Sequence, residues 1–469
     1  MTSLGATCGP EVLVELDRDR PEPLHRQLTG SLRDAIRTGR LWPETRMPSS
    51  RVLAADLGVS RRLVVEAFAQ LVAEGFLVSR HGAGTYVARI DTRADTVPAD
   101  EPPVAQYDVD FSPGLPDLRS FPRGTWIHAL RRGLADLPSE SLGYVSPQGL
   151  PGTRRAVADY LRRTRGIVAG PDRVVLCSGV TQGLSLVARM LRQHAKPAIA
   201  VEDPGFWLHR GVIRGDGIEG VPIPVDAHGL DVAVLRASTA TAVLTTPAHQ
   251  SPTGVVMSAA RRADLLEWAH AGNLVIEDDY DAEFRYDRRP IGALQGLAPE
   301  HVIYLGSVSK TLAPGLRIGW IALPANRVGV AAAKGLADGG ISVTDQIALA
   351  ELLNSGEYDR HLRQMRRRYL SRRNALLAAL EQFLPSAVVV GAAAGVQLMA
   401  RFPADCDIDA LVQAAAALGI RVESTRRWYA DPDAAPPGLV MGYANLTESQ
   451  ITTGIQLLAR AARQTAAAA

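Results

Sequence analysis

Apolar positions in the first quarter of the chain recur at helical spacing. Leu24, Leu28, Leu32, Ala35 and Ile36 lie on one face of a predicted helix that closes near Gly39. Pro48-Ser49-Ser50 caps a short second helix with Leu53, Ala54 and Leu57 inward, and Gly58 breaks it. Ser60 opens a third, whose core stripe is Val64, Ala67, Phe68, Leu71 and Val72. Two helices joined by a short turn containing glycine are a helix–turn–helix. The following FLVSRHGAGTYVA predicts two short strands around His81-Gly82-Ala83-Gly84, a hairpin wing.

Residues 91–107, DTRADTVPADEPPVAQY, show no apolar period and read as an extended linker. This divides the chain into a first domain over 14–90 and a second over 108–469. In the second, helical stretches alternate with apolar strands: RVVLCSG, AIAVED, AVLTTPAHQ, LVIEDD, VIYLGS and RIGWIALP. That alternation predicts an α/β fold with a parallel sheet and sites at the strands' carboxyl ends. GEYDRHLRQMRRRYLSRRNALLAAL reads as a helix with Leu362, Met365, Tyr369 and Leu370 buried. Its seven arginines between Arg360 and Arg373 read as a solvated face, with a second DNA- or subunit-contacting surface as the lesser alternative.

Composition narrows the compartment. With 46% hydrophobic and 21% charged residues, no long uncharged apolar run and no signal-peptide pattern, a soluble cytoplasmic protein is expected. Cys8, Cys177 and Cys406 form neither a disulfide framework nor a metal-ligand spacing. The net charge of +2 says little by itself.

The basic residues say more. Of 51, only Lys196, Lys310 and Lys334 are lysines. Arginine serves wherever only charge is needed, whereas an imine to an aldehyde needs a deprotonable primary amine. Lys310 follows the strand Val302–Leu305 in VIYLGSVSKTLAPGLRIGW. Upstream, the strand Leu274–Ile276 ends in Glu277, Asp278, Asp279 and Tyr280. A carboxylate at one strand end and a lysine after a later strand are what pyridoxal phosphate needs, one for the ring nitrogen and one for the aldehyde. Backbone N–H groups at Gly179, Val180 and Thr181 open a helix and would cradle its phosphate. Arg317 can return a guanidinium to the same phosphate, and Phe206 either stacks on the ring or belongs to the core. In the first domain Ser60, Arg61 and Arg62 begin the helix that would enter the major groove. Six arginines against three acids from Arg46 to Arg89 suit phosphate contact.

PLHRQL, the GRL turn, MPSSRVLAADLGVSR, QLVAEGFL and HGAGTYV resemble the GntR family of bacterial repressors in order. That resemblance puts Arg51, Ser60, Arg61, Arg62, His81 and Gly82 at DNA-contacting positions. Arg62-Leu63 departs from the small polar pair common in the family, so operator preference does not carry over. SLGYVSPQGLPGTRRAVADYL, SGVTQG, VEDPGF, SPTG, IEDDYDAEFRY and SVSKTLAPGLRIGW resemble the fold type I aminotransferases throughout 108–460. There the resemblance makes Lys310 the Schiff-base lysine, Asp278 the partner of the pyridine nitrogen and Tyr280 a donor to the cofactor's O3′. Gly179, Val180, Thr181, Ser307 and Arg317 become the phosphate cup, with Tyr144 reaching in from the other subunit of a dimer. Ser251 stands where aminotransferases have an asparagine that also holds O3′.

Both resemblances together are the architecture of MocR/GabR-type transcriptional regulators, whose dimers are head-to-tail. The expectation is a pyridoxal-phosphate-dependent regulator binding double-stranded operator DNA and a small-molecule effector, its large domain sensing rather than turning over substrate. Two rivals are a working aminotransferase that carries a DNA-binding domain and a domain that has lost its cofactor. Lys310 and Asp278, both present, speak against the second. Against the first, Val440 in LVMGY replaces the arginine that seats a substrate carboxylate, and Leu208 replaces a second one used by some relatives. Arg210, Arg426 and Arg427 remain as candidate substitutes. Pyridoxal phosphate itself is the leading effector expected, and an amine lacking a carboxylate the second.

Overall fold

The computed structural model describes residues 3–7, 13–90, 107–192, 197–286, 291–327, 329–391 and 394–468. The chain divides into two compact units, Met1–Ala105 and Gln106–Ala469. The linker read over 91–107 lies, up to residue 106, outside the described residues.

In the small unit, β1 (Ser3–Thr7) pairs antiparallel with β2 (Leu13–Asp17), a ribbon that the periodicity did not reveal. Helices α1 (Leu24–Arg37), α2 (Ser50–Asp56) and α3 (Arg61–Ala73) follow, then the wing β3 (Leu77–Arg80) and β4 (Gly84–Val87). The caps form as the serines dictate: Ser49 Oγ accepts from Val52 N and Ser60 Oγ from Leu63 N, both at 3.3 Å. Leu28, Leu32 and Ile36 of α1 pack with Leu53, Val64, Leu71, Leu77 and Val87 in one core. Gln27 ties the ribbon to α1, accepting from Asp17 N and donating to Asp17 O, each at 2.9 Å.

In the large unit, β5 (Val109–Asp110), α4 (Arg123–Ala135) and α5 (Pro151–Arg165) precede the main sheet. Then come β6 (Val174–Cys177), α6 (Val180–Leu191), β7 (Ala198–Asp203), α7 (Trp207–Gly215), β8 (Glu219–Asp226) and β9 (Gly229–Leu230). They are followed by α8 (Val232–Ala237), β10 (Ala242–Thr245), α9 (Ala259–His270), β11 (Leu274–Asp278), β12 (Val302–Ser307) and β13 (Gly319–Ala322). The sheet order is β6-β13-β12-β11-β10-β7-β8-β9.

The sheet is mixed, which corrects the parallel expectation. RIGWIALP supplies β13, which runs antiparallel to both β12 and β6, and β9 is antiparallel to β8. Between β12 and β13 the chain forms only a short 3-10 turn, Pro314–Leu316, and no crossover helix to bring it back parallel. Central strands are buried on both faces, which is why they read as unbroken apolar runs. Val175, Val201, Leu244, Ile276 and Leu305 pack toward α6, while Val243, Val275 and Val302 pack toward Trp268.

The remaining elements are α10 (Gly329–Asp338), α11 (Val343–Asn354), α12 (Glu357–Phe383) and a smaller antiparallel sheet. That sheet contains β14 (Val388–Val390), β15 (Gln397–Arg401), β17 (Glu423–Ser424) and β18 (Gly438–Gly442). Helix α13 (Ile408–Ala417), β16 (Ile420–Arg421), which pairs with β5, and α14 (Glu448–Ala468) complete the unit.

The arginine helix differs from its reading. Leu362, Met365 and Tyr369 are buried as expected and Leu370 only partly, but Arg372 and Arg373 are buried too. Arg372 donates to Asp117 at 2.9 Å and to the carbonyl of Ala444. Arg366 donates to the carbonyl of Glu283. Composition could not separate these internal arginines from the solvated ones.

Candidate functional site

The carboxyl end of the main sheet holds a cavity of about 220 Å³. Lys310, Asp278, Tyr280, Val180, Thr181, Phe206, Ser307 and Arg317 all line it, although they come from stretches far apart in sequence. Lys310 Nζ donates to the carbonyl of Gly114 at 2.7 Å. Gly114 has φ +73°, and a Cβ there would stand 2.6 Å from that nitrogen, so the lysine closes on bare backbone. Burial pushes the Lys310 ammonium below the usual lysine range, against the opposing pull of Asp281 and Asp278.

Three consecutive acids at the end of β11 separate by the alternation of a strand. Glu277 accepts from the backbone of Leu294 and Gln295 at 3.0 and 3.1 Å, and burial pushes it up to about 7. Asp279 receives Arg165 at 2.6 Å and the Tyr304 hydroxyl at 2.7 Å. Asp278 alone lines the cavity. Its Oδ2 lies 3.3 Å from His209 Nε2, while its Oδ1 is buried with no hydrogen-bond partner among the described residues. An acceptor left open in a cavity suits a protonated ring nitrogen.

Opposite, α6 aims its first N–H groups outward from a turn at Gly179, which has φ +86°. A Cβ on Gly179 would lie 3.0 Å from Arg317 Nη2, so the guanidinium rests against the turn, where it donates to the Ser178 carbonyl. The helix N-terminus, Arg317 and Ser307 line one cavity and offer donors that could hold a phosphate. Phe206 forms a wall, its ring 5.6 Å from that of Trp428 and 5.1 Å from that of His209. Tyr144 is fully exposed and does not line this cavity of its own chain.

Several contributors were not read from the sequence. His209 backs Asp278, and Gln397 enters the cavity with its Nε2 3.4 Å from Ser251 Oγ. His249 Nδ1 lies 3.0 Å from Asp281 and 2.8 Å from the Tyr280 hydroxyl. Asp281 can only accept when ionised, so Nδ1 carries the proton and the phenol keeps its own to donate. Buried Glu202 accepts from Thr245, Thr246 and Gln250, fixing the turns before Phe206 and Ser251. No local period marks such residues; an unexplained His or Gln beside a strand end is the only signal available.

Val440 is fully buried and opposes Met399 on the neighbouring strand. Met399 lies two residues from Gln397, so Val440 shares the face that meets the cavity. Two of the candidate substitutes are hydrogen-bonded elsewhere, and the third is stacked on an aromatic ring. Arg210 donates to the carbonyls of Gly205, Arg427, Trp428 and Tyr429. Arg426 pairs with Asp433 and Asp409, and Arg427 stands 3.6 Å over the Trp207 ring.

In the small unit Arg51, Ser60, Arg61, Arg62, His81 and Gly82 are all exposed. Ser60 is spent as the cap of α3. Arg61 Nε reaches Ser50 Oγ at 3.4 Å, and Arg62 Nε pairs with Glu66 at 2.8 Å. Glu44 holds Arg80 at 2.8 Å beneath the wing tip.

A winged helix in one unit and a strand-end cavity with lysine, carboxylate and anion cradle in the other define a DNA-binding protein with an aminotransferase-like domain. Residues 24–87 match bacterial regulatory proteins of the gntR family, and residues 111–456 match aminotransferase class I and II. The chain belongs to both families at once, and with them to the MocR-type transcriptional regulators. It is 33% identical to the "Probable rhizopine catabolism regulatory protein MocR" of Rhizobium meliloti, over 95% of each chain. It is 32% identical to the pyridoxine biosynthesis transcriptional regulator PdxR of Corynebacterium glutamicum, over 93% of this chain and 96% of that one. Among solved structures, the kynurenine aminotransferase of Pyrococcus horikoshii, in complex with PMP, is similar with a TM-score of 0.71 and 26% identity. That match covers 77% of this chain and 92% of the other.

Proposed function

We propose that the protein binds operator DNA through α3 and the wing, and pyridoxal phosphate through the cavity of the large unit, as a sensor rather than a catalyst. The observation that carries the cofactor reading is the unpartnered Oδ1 of Asp278 in the cavity that Lys310 lines. Bound there, pyridoxal phosphate supplies an aldehyde able to condense with a primary amine. Lys310 offers that amine, and burial lowers its pKa, which favours the unprotonated form. Asp278 would accept a hydrogen bond from the protonated ring nitrogen, and His209 fixes the carboxylate from behind. The α6 N–H groups, Ser307 and Arg317 hold the phosphate, Phe206 covers the ring, and Tyr280 donates to the phenolic oxygen.

Ordinary transamination lacks its carboxylate seat. Valine at 440 and leucine at 208 donate nothing, Arg210 and Arg426 are hydrogen-bonded elsewhere, and Arg427 is stacked on Trp207. An unpaired carboxylate in a closed site costs several kcal/mol. The effector is therefore not an α-amino acid held in the usual way. Pyridoxal phosphate itself is our first choice, because its own contacts are present, and an amine without a carboxylate is the second. The exposed Tyr144 fits a dimer in which it enters the partner's cavity, arranged head-to-tail, in the cytoplasm. Among the described residues no helix is long and apolar enough to cross a membrane.

An absorbance spectrum of the purified protein before and after borohydride tests the cofactor reading. A visible band that borohydride abolishes is expected; a protein colourless even with added pyridoxal phosphate overturns it.

A further inference from the structure

A second cavity, of about 300 Å³, opens on the Asp279 side of the same strand end. Arg163 and Arg165 of α5, Arg363 and Arg366 of α12, Glu283 and Tyr160 are in its lining. We propose that this cleft binds a small dianion, a phosphate or a dicarboxylate, at a site separate from the cofactor cavity.

The buried member is Arg165, with 3% of its side chain exposed. Its Nε meets Asp279 at 2.6 Å and its Nη1 the Ile291 carbonyl at 2.6 Å. Its Nη2 is buried with no acceptor among the described residues. A guanidinium is always charged and carries five N–H groups, so an internal one left unmatched marks a missing acceptor.

Charge points the same way. Arg163 is paired with Asp359 at 2.8 Å, and Arg165 with Asp279. Arg366 spends Nε and Nη2 on the neutral carbonyl of Glu283, at 3.0 and 2.6 Å. Neither Arg366 nor the exposed Arg363 has an ion-pair partner among the described residues, which leaves two guanidinium charges facing the single carboxyl group of Glu283. The opposing group is Glu283, which accepts from Tyr160 Oη at 2.9 Å. Burial and the charge of Asp279 push it up to about 7, so near neutrality it readily takes up a proton beside an incoming anion. Two guanidinium groups without a carboxylate partner, beside a buried donor with no acceptor among the described residues, fit two negative charges on one small ligand.

The proposal does not depend on the cofactor reading, and its test separates the two. The full chain, with its cofactor fixed by borohydride so that the phosphate cradle is filled, is titrated calorimetrically with inorganic phosphate and with succinate at constant ionic strength. If no cofactor is taken up, the titration is run on the protein as purified, and Arg317→Ala removes the competing cradle. Saturable binding of at least one probe is expected, and the tighter one names the ligand class. The double variant Arg163→Ala, Arg363→Ala alters two exposed side chains, spares the fold, and should weaken binding at least tenfold. Arg426→Ala, a surface arginine elsewhere, should change nothing. No saturable binding of either probe, or binding indifferent to the double variant, overturns the proposal.

Discussion

Asp278 and Asp279 are neighbours in sequence, yet one faces His209 across 3.3 Å in the strand-end cavity and the other faces Arg165 across 2.6 Å. One peptide step thus separates a carboxylate left open for a ligand from one committed to the interior. Replacing each should expose the division. Asp279→Ala strands a buried guanidinium and should destabilise the large unit by about 3–5 kcal/mol. Asp278→Ala should leave the urea midpoint nearly unchanged and weaken cofactor binding at least tenfold, read by absorbance titration. Equal loss of stability in both variants would contradict the assignment.

Lys310→Ala should abolish the visible band without unfolding the chain, since the lysine's one described hydrogen bond is to a backbone carbonyl. Circular dichroism checks the fold, and a persistent borohydride-sensitive band would place the imine on another amine.

Stability should fall as pH rises through neutrality. Glu277 and Glu283 are each held near 7 when folded, above the usual carboxyl value. A raised folded pKa gives stability that is complete below the unfolded pKa and lost as pH climbs through the folded one. Between pH 5 and 8 the two should cost on the order of a few kcal/mol together. Glu283→Gln keeps an acceptor for Tyr160 and should flatten part of that decline in melting temperature; an unchanged slope would refute the cause.

For DNA, Arg61→Ala should cost about 1–3 kcal/mol at fixed salt and relax one base pair of the operator. Arg33→Ala removes the 2.8 Å bridge from α1 to Glu74 at the end of α3. It should lower stability slightly and leave base preference untouched. Footprints and fluorescence anisotropy across a salt series distinguish the two.

Common α-amino acids at micromolar levels should shift neither the spectrum nor operator affinity, whereas pyridoxal phosphate should change the latter. One amino acid that does both would show that a carboxylate seat exists despite Val440.

How much of this was legible depended on where the information lay. Helices α1 to α3 were readable because their apolar stripes and Ser49 and Ser60 caps are local. Lys310 stood out through the scarcity of lysine, and the main strands through their apolar runs. Strand direction was not readable: RIGWIALP has the same pattern whichever way β13 runs. Nor could the sequence separate Arg372, bonded inside the protein, from its solvated neighbours on α12. His209, His249 and Gln397 reach their partners only through the fold, at separations that no window on the sequence spans.

The contact between Lys310 and Gly114 has a consequence for the backbone. Gly114 stands close to the beginning of the large unit, and its carbonyl is held by the nitrogen whose chemistry defines the cavity. An amine converted to an imine has fewer hydrogens to give, so that carbonyl must find another donor or let go. The covalent state of one side chain is thereby coupled to the hydrogen bonding of the segment between β5 and α4.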